Sequence, residues 1–356
     1  MKPDIKGLFE STGADAIILQ TMPNAFDPSF FYFSQIRPGV LDNNLLILSP
    51  KKKPLLVRSV IDPEIKNSNL RVRTVKRRKQ MDWLLSKELN CKKIGIDMSI
   101  VPVSMLKKLK KELKGRKFFD ISKQLDDARA IKTPSEISDI ARAAKITEKA
   151  LSELPSIFRK GMTEAELSLK LEFLLRKKSG DNIAFPVIVA NGRNSAFPHH
   201  FPGSRKIKKG IVLIDCGAKF NGYCGDLTRV FCVGKPSASQ QNLYSTVFEA
   251  KRLGEELCVE GASAKKVFNQ VSSFLKRHAG SELIHGMGHG LGLKVHDSPS
   301  GFTQESDVIL KKNMVLTVEP GVYKSGFGIR IEDDVVVGKN KCRKLGNAPE
   351  SLISLK

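Results

Sequence analysis

Two aspartates placed around a turn are the first residues in this chain that could do chemistry. The run IVLIDCGAKFNGYCGDLTRVF, residues 211–231, has one apolar segment ending on Asp215 and a second starting after Asp226. Between them, Asn221-Gly222 is the strongest short hairpin signal, because a type I′ turn needs positive φ at both central residues. With a two-residue loop, the numbers of paired residues sum to 443, so Asp226 faces Gly217 and Asp215 faces Thr228. Side chains alternate faces with a period of two. Asp215 and Asp226 therefore lie diagonally on one face of one hairpin. Carboxylates that close repel unless a cation sits between them. Taken alone, two surface aspartates beside a turn would read the same way.

Two more acids end or interrupt apolar runs. MVLTVEPG (314–321) puts Glu319 at the end of a strand, and GIRIEDDVVV (328–337) puts Glu332 inside one. An acid flanked by Val and Ile is costly to bury without a metal or a basic partner. A hairpin turning at Ser325-Gly326 pairs Glu319 with Glu332; a salt-bridged strand acid is the alternative for each alone.

Histidines gather in the same half of the chain. Five of six fall in Pro198-His199-His200 and in HGMGHGLGLKVH (285–296), and only His278 stands apart. Gly286, Gly288, Gly290 and Gly292 would allow the backbone to approach a ligand closely. They form neither a phosphate-binding loop, since no Gly-Lys-Ser/Thr follows, nor a dinucleotide fingerprint in its strand-then-helix setting. Four carboxylates and one imidazole suit Mn²⁺, Co²⁺ or Fe²⁺, whereas a structural Zn²⁺ site favours Cys. Two cations sharing carboxylates could activate one water between them, which is chemistry for hydrolysing an unreactive amide.

The elements that position these residues form the second part of an α/β chain. The first third alternates strands (15–21, 44–49, 54–60, 93–98) with helices (81–89 and the basic stretch 107–117), as in a small α/β domain. Residues 126–134 are polar, end in Thr133-Pro134, and read as the junction. A long amphipathic pattern then spans 135–154, and Thr163-Glu-Ala-Glu166 is a capping box opening another helix. Further helices are expected near 239–258 and 262–277. No short-period internal repeat is present.

Composition excludes several classes of protein. At 356 residues and 41% hydrophobic, the chain can build a real core in two domains and is not disordered. No apolar run reaches the ~18 residues of a membrane span, and the N-terminus lacks a signal-peptide apolar core. Six Cys with no C-x-x-C pair read as reduced thiols, hence an intracellular, cytoplasmic protein. The net charge of +23 is spread evenly, about half of it in residues 1–131, so no basic tail exists. In the densest stretch, Leu106, Leu109 and Leu113 recur at helical spacing among lysines, as in an amphipathic helix with a solvated face. No nucleic-acid-binding signature accompanies the charge, and a nucleic-acid partner is not expected.

The motifs IDCGAKFNGYCGDLTR, HGMGHGLGLKVH, VEPGVY and GIRIEDD occur in the order and approximate spacing of a known family. The chain resembles the creatinase/prolidase family of "pita-bread" metallopeptidases, in particular its Xaa-Pro aminopeptidase and Xaa-Pro dipeptidase (prolidase) branch. The resemblance covers the whole chain. It implies a creatinase-type N-terminal α/β domain over residues 1–126. A pita-bread catalytic domain over 133–356 would follow, with a curved, mostly antiparallel sheet covered by helices. It also implies two divalent metal ions, Mn²⁺ or Co²⁺ foremost, with Fe²⁺ or Zn²⁺ as further candidates.

The resemblance assigns roles residue by residue. Asp215 would bind one metal, Asp226 and Glu332 would bridge both, and His289 and Glu319 would complete the second. Glu319 would also be the general base on a bridging water. His199 and His296 would contact the scissile carbonyl, His285 would line the substrate pocket, and Arg330 would back the metal-site acids. Creatinase itself lacks this ligand set, so its presence here argues for a working metal site. Two departures exist: the family's Val-His-Glu-Pro-Pro reads VHDSPS at 295–300, near the substrate, and Gly-Asp before the first metal strand is shortened to Gly210-Ile211.

The expected activity is cleavage between an N-terminal residue and a following proline. That tertiary amide lacks an N–H and resists general peptidases. Short proline-containing peptides are the expected substrates, and the resemblance implies a homodimer without membrane attachment. One alternative is a methionine-aminopeptidase-like enzyme, disfavoured by the extra N-terminal domain and by His285. Another is a non-catalytic peptide- or nucleic-acid-binding relative, supported only by the charge.

Overall fold

In the computed structural model, which describes residues 3–21, 26–36, 43–179 and 181–356, the chain divides into two units, Met1–Arg129 and Ala130–Lys356. The first runs α1 (Ile5–Thr12), β1 (Ala16–Gln20), α2 (Pro28–Ser34), β2 (Leu45–Ser49), β3 (Lys52–Ser59), β4 (Arg71–Val75) and α3 (Arg78–Glu88). It continues with β5 (Lys93–Ile96), α4 (Val103–Glu112), β6 (Lys117–Asp120) and α5 (Ser122–Ala130). The strands form one sheet in the order β4-β3-β2-β1-β5-β6, with β2 antiparallel to both neighbours and the remaining pairs parallel. β1 is buried along its whole length, as a strand covered on both faces must be, and is apolar from Ala16 to Leu19.

The expected strands and helices of this unit are present, with two corrections. The basic helix is shorter than its lysine run: α4 ends at Glu112, Gly115 turns the chain at φ 79°, and Lys117 opens β6. Residues 126–130, read from sequence as junction, instead complete α5. The connection shrinks to two residues before Thr133 caps the next helix, its hydroxyl accepting from the Glu136 amide at 3.3 Å while Glu136 accepts from Thr133 N–H at 2.8 Å. The strands β4 and β6 were not anticipated, because RVRTV and KFFD are short, half-polar edge strands.

The second unit opens with α6 (Pro134–Ser152), α7 (Leu154–Ile157) and α8 (Glu164–Ser179), followed by β7 (Ile188–Asn191) and a 3₁₀ turn over Gly192–Ala196. Next come β8 (Gly210–Cys216), β9 (Lys219–Phe220), β10 (Tyr223–Cys224) and β11 (Leu227–Val233), then α9 (Ala238–Leu257) and α10 (Ala264–Ala279). The chain ends with β12 (Val315–Val318), β13 (Gly321–Tyr323), β14 (Gly328–Arg330), β15 (Asp333–Val336), β16 (Arg343–Lys344) and β17 (Ile353–Leu355). The ladders are β17-β11-β8-β7, β10-β9, β12-β15-β16 and β13-β14, antiparallel except where β17 joins β11. α6 and α8 bury Ala150, Leu167 and Leu171 against Val212 and Ile214 of β8. α9 and α10 bury Val247 and Val271 against Leu316, Val318 and Ile331. Alternation then turns Asp215 away from the face that carries Val212 and Ile214. Among the described residues no helix is long and apolar enough to cross a membrane.

Candidate active site

The first hairpin has the register its turn dictates. Tyr223 pairs with Phe220, Leu227 with Cys216 and Thr228 with Asp215, every pair summing to 443. Asn221 and Gly222 take φ of 50° and 84°, the positive values a type I′ turn requires. The second hairpin also keeps its expected register, with Tyr323 opposite Gly328, Gly321 opposite Arg330 and Val318 opposite Asp333. Its ladder breaks at Glu319 and Glu332, which fall between the β12–β15 and β13–β14 pairings instead of inside a strand. The break frees both glutamates from regular pleating at the point where their side chains meet the first hairpin.

His289 is brought to the same place by the glycine-dense loop, which lies beside β12. Thr317 N–H donates to His289 O at 2.8 Å, Glu319 N–H to Met287 O at 2.8 Å and Leu291 N–H to Val315 O at 3.0 Å. A Cβ on Gly288 would stand 2.0 Å from Thr317 O, and one on Gly290 would stand 2.5 Å from Pro299 O. The sequence reading gave these glycines to a ligand; they serve close backbone-to-backbone packing that sets His289 against Glu319.

Asp226, His289 and Glu332, all buried, place one ligand atom each within 4.8 Å of one another. His289 Nε2 lies 3.4 Å from Glu319 Oε1 and 3.8 Å from Asp226 Oδ2. Its Nδ1 faces Gly290 O at 3.1 Å, which assigns the ring proton to Nδ1. Burial holds this imidazole below its usual pKa, so it is neutral at pH 7. Nε2 thus turns a lone pair, not a proton, toward two carboxylates. Oδ1 of Asp215 and Oδ1 of Asp226 are buried with no hydrogen-bond partner. Burial, and then repulsion by Glu332 and Asp215, pushes the Asp226 carboxyl well above the usual range. Burial, and then Glu319 and Asp215, does the same to Glu332, and burial raises Glu319 against the pull of Arg330. Lone pairs and carboxylates aimed at one another, with orphaned oxygens, are the arrangement a bound cation relieves, and this donor set fits divalent metal.

Asp215 stands partly apart from that trio. Its Oδ2 accepts from Arg330 Nη2 at 2.6 Å, leaving Oδ1 for another partner. Arg330 Nε donates to Thr228 Oγ1 at 3.2 Å, and Thr228 Oγ1 donates to Glu332 Oε2 at 2.6 Å. Arg330 Nη1 donates to Tyr323 Oη at 3.0 Å; Tyr323 Oη is 2.8 Å from His285 Nε2, and His285 Nδ1 is 2.7 Å from Gly286 O. The Gly286 carbonyl accepts from Nδ1–H, so Tyr323 is the donor to Nε2 and a neutral His285 terminates the chain. His296 stacks on His289 with ring centroids 4.0 Å apart, and burial together with the charges of His289 and His199 lowers it to about 4.

The Pro198-His199-His200 segment divides its two histidines. His200 Nε2 is 2.8 Å from the buried Glu164, while His199 is exposed and stands where a positive charge would disfavour protonation of His285 and His296. Asp297, where the sequence departs from the familiar motif, is buried and accepts from Leu293 N–H at 3.0 Å and Ser298 N–H at 2.9 Å. It stabilises the loop after His289.

Several polar residues in and behind the site were not found from sequence: Thr228, Thr317, Tyr323 and Asp334 within it, and behind it a buried group of Arg229, Lys251 and Asp333. Thr228 carried a usable signal, since it lies two residues from Asp226 and shares its face. Lys251 carried another, since it continues the buried Leu243, Tyr244, Val247 row of α9 at helical spacing. Asp334 Oδ2, which accepts from Asp226 N–H at 3.0 Å, carried none.

The profile of Metallopeptidase family M24 matches residues 138–339, and that of the Creatinase/Prolidase N-terminal domain matches residues 5–131. A Xaa-Pro dipeptidase of Pyrococcus furiosus is 32% identical over 327 residues, covering 91% of this chain and 92% of the relative. The crystal structure of an X-Pro aminopeptidase from Thermotoga maritima superposes with a TM-score of 0.87 at 31% identity, covering 98% of this chain and 100% of that one. A Xaa-Pro dipeptidase from Bacillus anthracis superposes with a TM-score of 0.88 at 28% identity, covering 99% and 98%.

Proposed function

We propose that this chain, which belongs to metallopeptidase family M24, is an Xaa-Pro peptidase that cleaves the bond between an N-terminal residue and a following proline in short peptides. The observation that carries the reading is the neutral His289 directing its Nε2 lone pair at Asp226 and Glu319 beside Glu332. Near relatives over the full chain being named for Xaa-Pro dipeptidase and X-Pro aminopeptidase supports the substrate class. Asp215, Asp226, His289, Glu319 and Glu332 would hold two divalent cations, Mn²⁺ or Co²⁺ foremost. Such ions polarise a carbonyl and lower the pKa of a water.

The other groups follow from their environments. Glu319, its carboxyl raised by burial, is suited to taking the proton of the attacking water and delivering it to the departing nitrogen of proline. That nitrogen carries no proton of its own in the peptide, so a positioned acid is needed for it to leave. Neutral His296 and the exposed His199 would donate to the scissile carbonyl oxygen as charge develops on it. His285, fixed by Tyr323 and Gly286 O, lines the substrate side. Arg330 orients Asp215 through the Nη2–Oδ2 hydrogen bond. The division of labour between residues 1–126 and 133–356, a cytoplasmic location consistent with six unpaired thiols, and a homodimer belong to the same proposal.

The test is hydrolysis of Ala-Pro and Ala-Pro-Ala by chelator-treated protein, with and without added Mn²⁺. Mn²⁺-dependent cleavage of either peptide is expected, and the faster one separates dipeptidase from aminopeptidase. Metal uptake with both peptides left intact would overturn the substrate assignment.

A further inference from the structure

Lys251 sits in the middle of α9 with no exposed surface. Burying an ammonium costs several kcal/mol unless it is paired in good geometry. Its Nζ binds Asp333 Oδ2 in a short hydrogen bond and lies 2.8 Å from Glu255 Oε1 and 3.7 Å from Glu350 Oε1. The other oxygen of Asp333 accepts from Arg229 Nη2 at 2.5 Å. Arg229, also buried, directs Nη1 to two main-chain carbonyls, Glu332 O at 2.6 Å and Thr228 O at 3.0 Å, while Nε reaches Pro349 O at 2.8 Å. Arg229 follows Thr228 in β11 and so points away from the candidate site, and Asp333 and Lys251 are bonded on that same far side.

The two carbonyls belong to different sheets. Thr228 lies in β11 of the first hairpin, and Glu332 stands immediately before β15 of the second. Among the described residues no continuous ladder joins those sheets here, and their backbones meet where Glu332 N–H donates to Thr228 O at 3.2 Å. Arg229 therefore bridges the seam across which Asp215 and Asp226 must meet Glu332, and Lys251, through Asp333, fixes Arg229 from behind.

We infer that Lys251, Asp333 and Arg229 form a clamp that holds the two carboxylate-bearing hairpins at their working separation before metal arrives, so that these positioning residues set metal affinity. This rests on the metal-site reading above. A clamp with a purely structural role would change stability and leave the affinity of the folded protein unchanged.

Two measurements decide it. In the first, Mn²⁺ is titrated calorimetrically into chelator-treated wild type and into Lys251→Met, well below both melting temperatures. The substitution keeps the volume and removes the charge. A weakening of the dissociation constant by about 10- to 100-fold is expected, the range seen when outer partners of metal ligands are removed. An unchanged constant in a folded variant overturns the clamp. A wild type that takes up no Mn²⁺ overturns the metal reading instead, which separates the two failures. The second needs no variant: amide hydrogen exchange of the metal-free wild type. The clamp requires the Glu332 amide to exchange as slowly as the central β11 amides. Fast exchange at Glu332 without metal, slowed only by Mn²⁺, would show that metal assembles the seam and would refute the proposal.

Discussion

Arg330 Nη2 meets Asp215 Oδ2 at 2.6 Å, so a guanidinium from one hairpin neutralises a carboxylate from the other. Both are buried, and Arg330 also lies 4.0 Å from the Glu319 carboxylate, so its charge serves two of the candidate ligands. Removing one partner of a buried pair leaves an uncompensated charge and costs on the order of 3–5 kcal/mol. Arg330→Met is expected to lower the stability of the chelator-treated protein by that order, with part of the loss recovered by saturating Mn²⁺. Denaturant unfolding under both conditions is the check. Equal losses with chelator and with Mn²⁺ would mean that Asp215 does not face a cation.

Glu319→Gln keeps the size of the side chain and an acceptor for the Thr317 hydroxyl, now 3.3 Å from Oε1, but cannot take up a proton. General-base loss is worth about 10²- to 10⁴-fold. kcat on an Xaa-Pro peptide at saturating Mn²⁺ should fall within that range while the melting temperature holds. Retention of kcat within tenfold assigns the base elsewhere.

The two adjacent histidines should part company on mutation. His200→Ala strips a partner from the buried Glu164, which also accepts from Asn191 N–H at 2.8 Å. A stability loss of about 1–3 kcal/mol is expected, with kcat nearly unchanged. His199→Ala should leave the melting temperature alone and lower kcat/KM by at least about tenfold. The reverse pattern would transfer the catalytic assignment to His200.

In the first unit, Asp27 caps α2, accepting from Ser29 N–H at 2.8 Å and Phe30 N–H at 3.1 Å, and burial raises its carboxyl from 3.8 to about 6. The folded protein then holds this proton more tightly than the unfolded chain does. Stability from this group is complete below about pH 4 and is lost as pH rises through about 6, by on the order of 3 kcal/mol. Asp27→Asn retains the cap acceptor and should flatten that slope. Urea unfolding followed by Trp83 fluorescence reports on this unit, since Trp83 is the only tryptophan in the chain. An identical slope in both proteins assigns the titration to another group.

Much of the fold was legible because its signals are local. The capping boxes at Thr133 and Thr163 and the Asn221-Gly222 turn act within a few residues, and helical spacing announced α6, α9 and α10. The polar edge strands β4 and β6 escaped, as did the end of α5, because their pairing or packing partners lie elsewhere in the chain. Ser325-Gly326 gave the right register for the second hairpin although neither residue has positive φ. The break at Glu319 and Glu332 was not visible, since nothing in a run of Val and Ile marks where pleating stops.

The sequence by itself determined which residues could do chemistry and how each pair of acids lies on its own hairpin, because turn type and a period of two act over short distances. Only the tertiary structure decided which atoms meet. Asp215 with Arg330 is a pair 115 positions apart, and Asp226 with Asp334 is 108 apart. Which His nitrogen carries the proton, and which carboxylate oxygens are left without a donor, depends on carbonyls and guanidiniums brought in by packing, and no local pattern encodes those distances.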